Sequence, residues 1–366
     1  MARSIASIRA SRLFSFLDDS IDAVLVCNSH EPYFDDNFRY LTDACGGIFE
    51  GDCALVTRRG VTILTSLLEQ QIARRTGARV ITYGSQKEFE SKFAGLLKGR
   101  SVIGVSPDRM TLSAVKMIRR HSKGIRLRDI SKQLRKCRMV KDESELSRIK
   151  KAAAIASKVA ESIPDVVKIG MTERQAAAEV DYLLRLSGAD DVAFSTIVAF
   201  GESSSMPHYQ PGARKLRRGS VALFDFGAKY RNYGSDITRT YFTRPIDRKM
   251  EEIFDIVLEA QSAAIRRIRA GTRAKTIDLA ARKVIEDAGY GKQFMHSTGH
   301  GLGISTHDPG HISKRSKDVL RESMVFTVEP GVYLPGRGGV RIEDDIIVRE
   351  DHAEVITKAA KEIIFL

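Results

Sequence analysis

No apolar run in this sequence approaches the roughly 18–20 residues that span a bilayer. The N-terminal stretch also shows no secretory hydrophobic region. The expected compartment is therefore the cytoplasm, with no membrane partner. Cysteine is scarce. Cys27, Cys45, Cys53 and Cys137 all lie in the first 140 residues, and their spacings fit neither a zinc pattern nor a C-x-x-C redox motif. Reduced, mostly buried thiols are expected. The sequence has no H-E-x-x-H motif, no zinc-finger spacing, no internal repeat and no low-complexity segment.

What is present is a soluble globular composition, with 43% hydrophobic and 29% charged residues in 366. That length exceeds what one core usually organises, so two domains are expected. The net charge of +13 is unevenly placed. Residues 1–150 carry 27 Lys and Arg against 17 Asp and Glu, and the remainder carries 32 against 29. A basic half can favour nucleic acid. The more ordinary outcome is a solvated positive surface, and no nucleic-acid partner is expected. The stretch MARSIASIRASRLFSFL is Arg- and Ser-rich, with no acid before Asp18, and could pass for an organelle presequence. Ile5, Ile8, Leu13, Phe14 and Leu17 give it a helical apolar stripe, so an ordinary first helix is preferred.

Strand-like runs at Ala23–Cys27, Cys53–Thr57, Val61–Thr65, Val80–Tyr83 and Val102–Val105 alternate with helix-like segments such as Leu67–Thr76 and Thr111–His121. A sheet flanked by helices follows. The charged segment Leu134–Ser144 reads as a linker, which sets the expected domains at 1–140 and 141–366. Beyond it come a long helix from Glu145, a second at Glu173–Leu186, and a helix pair from about Lys249 to Ala288. Paired strands with tight turns fill the rest.

Two of those hairpins carry paired carboxylates. Asp225 and Asp236 flank a turn centred between Tyr230 and Arg231, so within a residue of slippage they face each other. Asp225 alternates with Leu223 and Val221, which gives it a buried face. Facing buried carboxylates repel unless one takes a proton or a cation sits between them; otherwise one Asp points to solvent. Glu329 and Glu343 repeat the arrangement around Gly336. Two such pairs in one domain suggest a shared cation site.

Three histidines, His296, His300 and His307, fall within twelve residues, and His208 stands apart. A lone histidine is more often a core or surface residue, but three among glycines are harder to dismiss. Gly299 and Gly301 are read as freeing His300 and letting the backbone approach a ligand. One imidazole with four carboxylates suits Mn²⁺, Co²⁺, Fe²⁺ or Zn²⁺. Four negative charges balance two divalent ions, so a two-metal site is expected.

Together Asp225-Phe-Gly227, Ser235 through Thr240, His296 through His307, Glu329-Pro-Gly331 and Arg341 through Asp345 resemble the pita-bread metallopeptidase family of methionine aminopeptidase, aminopeptidase P and prolidase. Asn37 through Thr42 looks like the strand-to-helix motif of the creatinase-type N-terminal domain, and Val140 through Leu146 like the family's interdomain junction. The implied fold is α+β: a C-terminal pita-bread domain, with curved antiparallel sheet and flanking helices, preceded by an α/β creatinase-type domain. The resemblance implies that Asp225, Asp236, His300, Glu329 and Glu343 hold two divalent ions (Mn, Co or Zn). It implies that Glu329 also serves as the base. His208 and His307 would contact substrate, His296 would line the pocket, and Arg341 would orient Glu343 or a substrate group. Asp308 departs from the Glu that many members carry after this histidine.

The implied activity is hydrolysis of the bond before proline by an Xaa-Pro dipeptidase, or by an aminopeptidase P acting on longer peptides. The substrate carries proline at its second position, and a homodimer is implied. The N-terminal domain argues against a methionine aminopeptidase. The full ligand set argues against a non-catalytic nucleic-acid-binding scaffold and against a creatinase-like amidinohydrolase.

Overall fold

The computed structural model describes residues 4–30, 34–122 and 124–366. Met1–Arg3 of the N-terminal stretch therefore lie outside the described residues. The chain divides into two compact units, Met1–Arg138 and Met139–Leu366.

In the first unit a six-stranded mixed sheet is built around Ala23–Cys27. Cys53–Thr57 pairs with that strand antiparallel, and Val102–Val105 pairs with it parallel. Gly60–Ser66 and Arg79–Tyr83 extend one side, and Arg126–Asp129 closes the other. Every residue of Ala23–Cys27 is buried, as expected of a central strand covered on both faces. Leu25, Leu55 and Leu64 pack with Phe89, Phe93 and Ile118. The segment Asn37 through Thr42 is helical, within Asp36–Thr42, and Asp35 caps it.

Two expectations are corrected here. The first helix, Ile5–Phe14, buries Ala6, Arg9, Ala10, Leu13 and Phe14, whereas Ile8 is 48% exposed. The apolar stripe is rotated because Arg9 goes inside. Its guanidinium lies over the Tyr40 ring at 4.8 Å, and Nη1 donates to the Tyr40 carbonyl at 2.8 Å. The proposed linker is also partly helix, Ser131–Met139, because Leu134 and Cys137 are buried on one face despite the flanking charge.

Asp52 is fully buried and accepts from Thr65 Oγ1, from Ser66 N–H at 3.2 Å and from Tyr83 O–H at 3.0 Å. Burial outweighs these bonds and pushes its pKa from 3.8 up to about 6. The folded state thus holds a proton that the unfolded chain releases. This stability is complete below pH 3.8 and is lost as pH rises through about 6. Asparagine can keep all three contacts, with its amide donating to Thr65. Asp52→Asn is expected to raise unfolding stability at pH 7.5 by about 1–3 kcal/mol and to flatten the slope between about pH 4 and 6. Urea melts across pH check this. An unchanged slope would locate the titration elsewhere.

The second unit repeats one layout twice. Helices Glu143–Val166 and Glu173–Leu186 each begin with a capping box, Asp142 with Glu145 and Thr172 with Gln175. They pack on an antiparallel sheet of Ile197–Phe200, Val221–Phe226 and Ile237–Phe242. Helices Arg248–Ile265 and Ala274–Asp287 cover a second antiparallel sheet, in which Gly299–Gly301, Val325–Val328 and Asp344–Val348 are neighbours. Helices segregated onto antiparallel sheets make this an α+β unit. Among the described residues, no helix is long and apolar enough to cross a membrane.

The two carboxylate hairpins differ in register. Gly331–Leu334 with Gly338–Arg341, and Val325–Val328 with Asp344–Val348, share one alignment, which places Glu329 opposite Glu343. In the other hairpin the partner of Asp225 is Thr238, not Asp236. The turn is Arg231-Asn232, both with positive φ of 46° and 72°, and it lies one residue beyond the expected centre. The resulting shift of two residues keeps Asp236 on the same face as Asp225 but makes it a diagonal neighbour.

Candidate metal centre

Both hairpins deliver their acids to one cavity of ≈ 370 Å³. All nine residues singled out in the sequence line it: His208, Asp225, Asp236, His296, His300, His307, Glu329, Arg341 and Glu343. Asp225 lies within a strand. Asp236, Glu329 and Glu343 sit in strand breaks, where the pairing leaves them free to turn inward. His208 and His307 are exposed at the rim.

Only Asp236, His300 and Glu343 bring one ligand atom each within 4.8 Å of the others, the single such cluster among the described residues. His300 Nε2 lies 3.7 Å from Asp236 Oδ2 and 3.6 Å from Glu329 Oε1. Its Nδ1 lies 3.1 Å from the Gly301 carbonyl. A carbonyl can only accept, so the proton belongs on Nδ1 and the Nε2 lone pair faces the carboxylates. Burial lowers the pKa of His300, which favours that neutral form.

The acids show the opposite response. Burial first, then Glu343, Asp225 and other neighbouring acids, raise Asp236 well above the usual carboxylate range. Burial, Glu329 and Asp225 do the same to Glu343, and burial raises Glu329. Asp225 Oδ1 and Asp236 Oδ1 are buried without a hydrogen-bond partner. Crowded buried carboxylates with orphaned oxygens must either take protons or hold a cation. The donor set, carboxylates with one imidazole nitrogen, therefore fits divalent ions of the Mn²⁺, Co²⁺ and Zn²⁺ type.

Arg341 is already committed. Its Nη2 donates to Asp225 Oδ2 at 2.6 Å, Nη1 to Tyr333 O–H at 2.8 Å, and Nε to Thr238 Oγ1 at 2.9 Å. Thr238 in turn donates to Glu343 Oε2 at 2.6 Å. Tyr333 also meets His296 Nε2 at 2.8 Å, and burial pushes its pKa up to about 12. Thus Arg341 orients Asp225 directly and Glu343 through Thr238.

Thr238 and Tyr333 were missed in the sequence, as were the wall residues Phe194, Ile197, Pro207 and His311. Correct placement of the Arg231-Asn232 turn would have exposed Thr238 as the partner of Asp225. Nothing in the sequence marks Tyr333. Gly299 and Gly301 have a further reason that the sequence did not show. A Cβ on Gly299 would stand 1.9 Å from the Thr327 carbonyl oxygen, and one on Gly301 2.2 Å from that of Pro309. These glycines let neighbouring backbone close in around a bulge at His300, and Gly299 also lines the cavity.

Next to His307, Asp308 forms a buried ion pair with Lys141 at 3.2 Å. Lys141→Met alone is expected to destabilise by about 3–5 kcal/mol, because it removes the buried cation that faces this carboxylate. Adding Asp308→Leu should restore most of that loss. Chemical melts of both variants check this, and equal loss in the two would contradict it.

Comparison with known proteins places these features in context. The description "Metallopeptidase family M24" matches residues 147–350, and "Creatinase/Prolidase N-terminal domain" matches 14–140. A relative described as Xaa-Pro dipeptidase, from Pyrococcus horikoshii, is 33% identical over 98% of this chain and 99% of its own. The crystal structure of an X-Pro aminopeptidase from Thermotoga maritima superposes with a TM-score of 0.90 at 33% identity, covering 97% of this chain and 100% of that one. A prolidase structure from Pyrococcus horikoshii gives 0.88 at 33% identity, over 98% and 100%.

Proposed function

From the premise that this chain belongs to metallopeptidase family M24, with a creatinase-type domain before its pita-bread domain, we propose that it is an Xaa-Pro dipeptidase using two divalent ions. The observation that carries this reading is the buried cluster of Asp236, His300 and Glu343, with Asp225 and Glu329 beside it in one cavity. Full-length similarity to dipeptidases supports the substrate class. The family resemblance also supports a homodimer, which sedimentation tests.

Asp225, Asp236, His300, Glu329 and Glu343 would hold the ions, of the Mn²⁺, Co²⁺ or Zn²⁺ type. When bound, the ions polarise the scissile carbonyl and activate water. Glu329 would accept a proton from the attacking water and deliver it to the departing proline nitrogen. His208 and His307, at the rim, hydrogen-bond the substrate or the developing oxyanion. His296 lines the wall, held by Tyr333. Proline has no amide hydrogen and a fixed φ, so a pocket that surrounds the residue suits it better than a backbone ladder.

The similarity to an X-Pro aminopeptidase keeps one second reading in play, action on longer peptides. Comparing Met-Pro with Met-Pro-Ala separates the two. Cleavage of the dipeptide alone is expected. Preference for the tripeptide would transfer the assignment to the aminopeptidase, and cleavage of neither would overturn the substrate class.

A further inference from the structure

No lining residue of the metal-centre cavity comes from the basic first 150 residues. Within the first unit, a cavity of ≈ 690 Å³ is lined by Arg59, Arg79, Lys92, Lys98 and Arg100 and, among the described residues, by no carboxylate. Its size lies in the range of small-molecule pockets, about 300–1,000 Å³.

Two of these cations are braced by the protein. Lys92 Nζ donates to the Thr82 carbonyl at 2.7 Å and to Glu88 at 2.8 Å, and Arg100 Nε donates to the Leu96 carbonyl at 3.2 Å. The side chains of Arg59, Arg79 and Lys98 have no hydrogen bond or ion pair among the described residues. They come from three elements: the turn between Cys53–Thr57 and Gly60–Ser66, the start of edge strand Arg79–Tyr83, and the end of helix Gln86–Leu97. A C-terminal lysine suits a helix dipole. That does not account for two unpaired guanidinium groups lining the same cavity, which concentrate positive charge there. Guanidinium forks match phosphate oxygens bidentately. Leu55, Val61, Ile81 and Leu96 give the same cavity an apolar wall.

We propose that this cavity binds a small phosphorylated ligand of the nucleotide class, its phosphates on Arg59, Arg79 and Lys98 and its ring against Ile81 and Leu96. The test is calorimetric titration of the metal-loaded full-length protein with Mg-ATP, inorganic triphosphate and adenosine. Saturable binding of ATP at one site per chain is expected, with a dissociation constant below about 1 mM. Triphosphate should bind more weakly, and adenosine should not bind detectably.

The triple variant R59E/R79E/K98E should weaken ATP binding at least about tenfold, and Arg79→Ala alone about threefold. All three side chains are exposed, so melting curves should stay close to that of the unaltered protein. Non-saturable ATP uptake, or equal affinity in both variants, would overturn the proposal. So would capture of single-stranded RNA without ATP binding.

Discussion

Glu343→Gln is expected to cut Xaa-Pro hydrolysis by about 10³-fold or more while making the metal-free protein more stable. The two effects have one cause. Glu343 is 2% exposed, and burial together with Glu329 and Asp225 holds its pKa well above 4.5. Without ions, its ionised form is a cost to the fold. Stability is complete below the unfolded pKa and is lost as pH rises through the folded one. Glutamine does not titrate, and its amide oxygen can still accept from Thr238. In chelator at pH 8 the variant should therefore exceed the unaltered protein by about 1–3 kcal/mol, with a gap that widens as pH rises. Excess Mn²⁺ should reverse the order. Binding to the folded state alone adds about 2.7 kcal/mol at 100 times Kd, and the variant forfeits most of this. Melting curves in chelator and in Mn²⁺ read both signs. A variant less stable in both conditions would mean that Glu343 is structural rather than a metal ligand.

Arg341→Lys is expected to lower kcat/KM by about 10²-fold, with kcat carrying most of the loss. Lysine keeps the positive charge, so charge is not the issue. Its three nitrogens meet Asp225, Tyr333 and Thr238 in three directions. One ammonium can hold Asp225 but cannot also keep Thr238 turned towards Glu343. Steady-state kinetics with Met-Pro check this. Loss confined to KM would instead place Arg341 on the substrate.

How much of this was legible depended on local chemistry. The alignment of Glu329 with Glu343 could be read because Pro335 through Gly339 marks its turn plainly. The other hairpin hid its turn in Arg231-Asn232, since an arginine at positive φ gives no signal. The error was two residues, and because strand faces alternate it left Asp236 pointing the right way. The inward turn of Arg9 was equally hidden. A cation is ordinarily solvated, and partners distant in the sequence, Tyr40 and Asp43 among them, make its burial tolerable. Glycines flanking His300 were visible, but their reason was not, because the Thr327 and Pro309 carbonyls that crowd them belong to other strands.

The most direct test is to titrate metal-stripped protein with Mn²⁺, counting bound metal while following Met-Pro hydrolysis, and to repeat this with Asp236→Ala. Two ions per chain are expected, with hydrolysis rising as they bind and both lost in the variant. Undiminished hydrolysis without metal, or an Asp236→Ala protein with unchanged metal and activity, would contradict the assignment of this cluster as the catalytic centre.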